Sequence, residues 1–124
     1  MAATALVAAF GAHDREAYFA AFAPNATFVF HNYDQVLASR GEYEALWDEW
    51  VDEGFRVIGC ASSNQAVTML SPTVAVFTHR VRTQLAGGDD VVTTAERETI
   101  IFQRLDDHWL GVHEHLSVDP VSAT

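Results

Sequence analysis

Two stretches near the C-terminus, AERETIIF (Ala95–Phe102) and WLGVHEHLS (Trp109–Ser117), decide how this chain folds. Both read as buried β-strands, yet both carry ionisable groups within the apolar pattern. Burying a charge is costly unless it is paired, so strands of this kind line a polar cavity or an interface. The architecture follows from working outward from these two runs.

From Phe55 onward the hydrophobic period is two. Strands are expected at 55–62, 64–70, 73–85, 91–105 and 108–118, joined by turns at Ser71-Pro72, Ala86 to Asp90, and Asp106-Asp107. The preceding half is helical. Leu6, Phe10 and the alanines between Ala3 and Ala12 have helical spacing, and Asp14 can cap a second helix running to Phe22. Ala23-Pro24-Asn25 ends that helix and turns the chain, and Thr27 to Phe30 forms a strand leading to His31. After an irregular stretch from Asn32 to Ala38, Ser39 and Glu42 fit a capping box. It opens a helix carrying Leu46, Trp47, Trp50 and Val51, which Gly54 closes.

Helices followed by consecutive antiparallel strands define an α+β fold. The expected form is a curved antiparallel sheet making a half-open cone, its concave face capped by the N-terminal helices. The mouth of such a cone is a natural small-molecule pocket. With 124 residues, the chain fits one domain over 1–124.

Composition removes several function classes. Seventeen acidic against seven basic residues give a net charge of −10, which argues against nucleic-acid binding. All seven basic residues are arginine, so Schiff-base lysines and a Walker lysine are excluded. The planar guanidinium suits carboxylate or phosphate recognition, although a genome rich in arginine codons accounts for the same usage. Cys60 is the single cysteine and lies in an apolar stretch, VIGCA, where it reads as a small buried hydrophobe rather than a nucleophile. No apolar run reaches the ~20 residues of a membrane helix, and the N-terminus lacks the basic region of a signal peptide. A cytoplasmic protein without membrane association is therefore the expectation.

Strand parity decides which charged residues meet. With Gly88 at the centre of its turn, Arg80 falls opposite Glu96, and Glu98 lies diagonal to it. A two-residue turn at Asp106-Asp107 sets Glu98 opposite His115 and Ile100 opposite His113. On that register Arg80, Arg82, Glu96, Glu98, His113 and His115 share one face; Phe77, Val81, Thr99, Ile101, Val112 and Leu116 share the other. One bulge would move both histidines across the sheet.

If the charged face is concave, Glu98, His113 and His115 are the candidate proton-transfer groups. Arg80, Arg82 and Glu96 would hold the substrate, with Arg80 beside an anion or a developing enolate. The same residues could bind a polar ligand without reaction, or simply hold the strands in register. His31 is a further candidate at the mouth, or an exposed turn residue. Tyr18 could donate a hydrogen bond into the cavity, or serve only helix packing. His113 and His115 could together chelate a metal, but Ser117-Val118-Asp119 follow where a third ligand would be needed, and His79 falls on the opposite face in this register. No metal site is therefore assigned. No nucleophile elbow, phosphate loop or dinucleotide fingerprint is present.

These residues resemble the nuclear transport factor 2-like superfamily, whose members include ketosteroid isomerases, SnoaL-like polyketide cyclases and limonene epoxide hydrolases. The likeness is firmest over Ser63 to Pro120. There Glu98-Thr99, Asp106-Asp107, Trp109 and His113-Glu114-His115-Leu116-Ser117 are similar to SnoaL-like domains and to the association domain of calcium/calmodulin-dependent protein kinase II. The resemblance implies the cystatin-like cone, a pocket and a homodimer across the outer sheet face. It also implies that Arg80 matches a pocket arginine of the association domain. Val92 and Leu116 stand where that domain has two others. Two functional readings remain. One is a cofactor-independent isomerase or cyclase working by general acid–base chemistry. The other is a non-catalytic ligand-binding or association domain.

Overall fold

The computed structural model describes residues 2–120. Three helices precede most of the sheet: α1 (Ala2–Gly11), α2 (Arg15–Ala20) and α3 (Arg40–Asp52). The strands are β1 (Phe22–Phe30), β2 (Phe55–Ser71), β3 (Val74–Gly87), β4 (Asp90–Leu105) and β5 (His108–Val118). They form one curved sheet in the order β1-β5-β4-β3-β2. The fold is α+β, as the residue pattern requires, but the sheet is mixed because β1 runs parallel to β5.

Local signals place the helices well. Asp14 caps α2 by accepting from the Ala17 N–H at 3.2 Å. Ser39 caps α3 by accepting from the Glu42 N–H at 3.2 Å, and Glu42 reaches back to the Ala38 N–H at 3.3 Å. Gly54, at φ 102°, lies just beyond the end of α3 in a conformation that suits glycine.

Two boundaries differ from expectation. α2 ends at Ala20 and β1 begins at Phe22, so Ala23-Pro24-Asn25 belongs to an irregular strand rather than a turn. Pro24, which has no N–H to donate, lies where the β1–β5 ladder is interrupted. The two strands expected at 55–62 and 64–70 are one strand, β2. Its pairing with β3 slips between Ser63↔Arg80 and Ala66↔Thr78, where Asn64 takes φ 53°. This is a bulge in an edge strand, not a chain reversal.

The register also differs. β3 and β4 are joined through Gly88-Asp89, with Gly87 opposite Asp90, so the turn is two residues long and not centred on Gly88. Arg80 therefore pairs with Arg97, His79 with Glu98 and Val81 with Glu96. The Asp106-Asp107 turn has the expected two residues, at φ 50° and 66°. Beyond it, Phe102 pairs with Gly111 but Ile101 pairs with His113, leaving Val112 as a bulge. That bulge puts His115 opposite Thr99 and Glu114 opposite Ile100.

Helices and sheet enclose an aromatic core. Phe22, Phe28, Trp47 and Tyr18 are almost fully buried, and rings from α2, α3 and β1 meet mostly edge to face. Gly111 is small for a packing reason, since a Cβ there would lie 2.7 Å from Cδ1 of Phe22. No helix among the described residues is long and apolar enough to cross a membrane.

Candidate active site

Between the helices and the concave sheet face lies a cavity of about 260 Å³. Its walls are mainly aromatic, including Phe10, Phe30, Trp47, Trp50 and Phe55. Against them stand the polar side chains of β3, β4 and β5, with Glu96, Glu98, Glu114 and His79 prominent among them. Strand alternation explains the grouping. Glu96 and Glu98 are two apart on β4, His79 faces Glu98 across the ladder, and the Val112 bulge turns Glu114 inward.

Glu98 is the centre of the network. His79 Nε2 lies 2.6 Å from its Oε1. On the far side of the imidazole, Nδ1 lies 2.6 Å from Ser62 Oγ, which accepts from Gln65 Nε2 at 2.8 Å. Because Gln65 already donates to Ser62, the hydroxyl proton is free to point at Nδ1, so Nε2 carries the proton donated to Glu98. Burial pushes the His79 pKa down and keeps the ring neutral, consistent with this tautomer.

Glu114 binds Glu98 from the other direction through a carboxyl–carboxylate hydrogen bond. Burial raises both pKa values; the raise is strong at Glu114, where the charge of Glu98 and its role as donor in the shared bond add to it. Glu114 therefore holds the shared proton, and Glu98 is the acceptor. Tyr18 Oη donates to Glu114 Oε1 at 3.2 Å and lies 3.0 Å from Tyr43 Oη. Both phenols are buried, which together with the nearby carboxylates keeps them protonated. Hydrogen-bond donors thus converge on Glu98 from both flanking strands, β3 and β5.

A second pair stands nearby. His31 Nε2 is 2.6 Å from Glu96 Oε2, and Thr94 Oγ1 donates to Glu96 Oε1 at 3.2 Å. The His31 side chain is 31% exposed, against 10% for Glu96. His31 closes the network toward solvent.

Of the residues singled out by sequence, the structure brings Tyr18, His31, Glu96 and Glu98 to one cavity. Arg80, Arg82, His113 and His115 are not with them. The reason is the pair of one-residue slips, each of which sends a strand's side chains to the opposite face. Arg80 instead lies 3.7 Å from Asp119. His113 Nδ1 contacts Thr27 Oγ1 at 2.7 Å, and the His113 and His115 rings are 6.3 Å apart on the outer face. Phe77, Val81 and Leu116, expected outside, face inward. Among the described residues, no group of three or more His, Cys, Asp or Glu is arranged to hold a metal ion.

Glu114 and His79 are the cavity groups that sequence reasoning did not place there: Glu114 was not singled out, and His79 was assigned to the opposite face. Glycine inside a strand often marks a bulge, and Gly111 was the available signal for Glu114. For His79 the signal was Gly88-Asp89, a residue pair suited to a two-residue hairpin. Cys60 lines the cavity, and its Sγ lies 3.5 Å from the Val7 carbonyl. Burial raises its pKa, which keeps it a thiol and a poor nucleophile. Trp47 Nε1 is buried without a hydrogen-bond partner, and the Phe19 and Phe55 rings cross the indole nearly at right angles.

Helices packed on a curved five-stranded mixed sheet are the architecture of a known class. The profile of the SnoaL-like domain matches residues 1–121, and the chain belongs to that family. Solved structures agree on the fold. A ketosteroid isomerase-like protein from Erwinia carotovora atroseptica superposes with TM-score 0.83 at 15% identity, covering 96% of this chain and 92% of that one. An NTF2-like protein of unknown function in nutrient uptake from Rhodospirillum rubrum gives 0.82 at 20% identity, with 95% of each chain covered. A candidate calcium/calmodulin dependent protein kinase II association domain from Xanthomonas campestris gives 0.75 at 18% identity, covering 96% of this chain and 81% of that one. No curated protein matches the chain by sequence.

Proposed function

We propose that this protein binds a small molecule in the cone and performs cofactor-independent general acid–base chemistry of the isomerase or cyclase type. The observation carrying this reading is the carboxyl–carboxylate pair of Glu98 and Glu114 within an aromatic cavity. Two carboxyls whose environments separate their proton affinities are suited to opposite roles, one as base and one as acid. The likeness to a ketosteroid isomerase-like protein fits the same chemistry.

In the proposed cycle, Glu98 removes a proton from the carbon between a substrate carbonyl and a carbon–carbon double bond; the C–H pair forms a new C=C bond and the carbonyl π pair moves onto oxygen, giving a dienolate. Glu98 is then neutral, so the Glu114 proton no longer has a carboxylate to serve and passes to that oxygen. Tyr18 stabilises the charge left on Glu114. Returning the first proton to the far end of the dienol, as the carbonyl re-forms and the enol proton goes back to Glu114, moves the double bond into conjugation with both carboxyls restored. His79 holds Glu98 in place throughout by its Nε2–H.

The test uses a generic carbon acid, 5-nitrobenzisoxazole. A base removes its ring C–H, the N–O bond breaks, and a coloured phenolate is released. Wild-type protein should turn it over, and Glu98→Gln should lower kcat/KM by about 10²-fold or more while leaving the melting profile cooperative. A folded Glu98→Gln variant with full activity would remove Glu98 from the mechanism. Wild-type protein no faster than acetate would leave non-catalytic ligand binding as the function of the cavity.

A further inference from the structure

The charge of the cavity identifies the class of molecule it takes. Its lining contains Glu96, Glu98 and Glu114 but no arginine, and the chain has no lysine. With Glu114 holding the shared proton, two carboxylates face the cavity, and among the described residues the lining groups able to carry positive charge are the imidazoles of His31 and His79. His79 is neutral, its Nδ1 occupied by Ser62 and its side chain wholly buried. At most one cation, at His31, offsets two anions.

An anionic ligand would meet this field unscreened, within a protein of net charge −10. Opposite the carboxylates stand Trp47, Trp50 and Phe55. Their rings offer a broad apolar surface to the body of a ligand. Carboxylates on one wall and aromatic rings on the other are together complementary to a positive charge attached to an apolar body.

We propose that the cavity takes an organic monocation, an amine with an aromatic or branched apolar body. Its ammonium lodges toward Glu96, roughly 7 Å along β4 from Glu98 by strand geometry, and its body packs against Trp47, Trp50 and Phe55. The ligand supplies a second counter-charge to the two carboxylates, His31 beside Glu96 being the one the lining itself offers. Glu98 remains available for the proton. This assignment rests on the cavity being a ligand site, but not on its being catalytic.

Isothermal titration with 2-phenylethylamine, 2-phenylethanol and 3-phenylpropanoate at pH 7.5 tests it, because the three share a body and differ in head group. The ammonium should bind at least about tenfold tighter than the alcohol, and the carboxylate weakest. Glu96→Gln should remove most of the amine's advantage while leaving the alcohol unchanged, and Glu98→Gln offers an independent reduction of the same charge. Equal binding of amine and alcohol would overturn the cation assignment and leave the cavity as a site for neutral molecules. Tighter binding of the carboxylate would overturn it outright. If none of the three bound, both the cation assignment and the reading of the cavity as a site for small aromatic molecules would fall.

Discussion

His79 Nε2 and Glu98 Oε1 lie 2.6 Å apart, directly opposite each other on neighbouring strands and facing the same cavity. The contact joins a wholly buried imidazole to a carboxylate that is 11% exposed. It also connects the cavity, through Ser62 and Gln65, to the bulged edge strand.

The carboxyl pair should make stability pH-dependent. Folding raises the pKa of Glu98 and Glu114 above the ordinary 4.5, so the native state binds more protons than the unfolded state between that value and the raised ones. Their favourable contribution is complete below pH 4.5 and is lost as pH rises through the folded values. His79, lowered by folding, acts oppositely: its contribution is present above its ordinary 6.5 and is lost as pH falls through its folded value. Glu114→Gln should therefore shift the balance toward the His79 dependence, visible as a Tm that rises more, or falls less, from pH 5 to pH 8 than in wild type. An identical pH profile for the two proteins would contradict the assigned protonation of Glu114.

Ser62→Ala removes the partner of His79 Nδ1 and leaves a buried acceptor unpaired. The expected loss is about 1–3 kcal/mol, read from urea unfolding. ¹⁵N spectra should show His79 protonated at Nε2 in wild type and in the variant alike, because the Glu98 carboxylate still accepts from that nitrogen. A wild-type Nδ1–H tautomer would reverse the direction assigned to the relay.

Gly111→Ala should destabilise the fold through a single clash. The new methyl group would sit 2.7 Å from the Phe22 ring in a fully buried position. Overpacking of this kind costs about 1–3 kcal/mol. Phe22→Leu should relieve part of that cost, so a double-mutant cycle should report non-additivity. Additive losses would mean that the two sites do not compete for the same space.

Outer-face substitutions provide the control on register. Arg82→Ala and His115→Gln lie across the sheet from the cavity and should leave turnover of 5-nitrobenzisoxazole and binding of 2-phenylethylamine at wild-type levels. Loss of either function in a folded Arg82→Ala variant would favour the register in which arginine shares a face with Glu98.

The sequence by itself determined what depends on neighbours along the chain. Period-two alternation from Phe55 announced the sheet, Asp14 and Ser39 announced helix starts, and Asp106-Asp107 announced a tight hairpin. These are local energies, settled within a few residues. Only tertiary structure decided which groups face the cavity. Side chains alternate across a strand, so a single extra residue at Val112 and a turn shorter by one residue at Gly88-Asp89 exchanged two arginines and two histidines for His79 and Glu114. The proton held between Glu98 and Glu114 was likewise out of reach of sequence, because it results from burial that exists only once the helices close over the sheet.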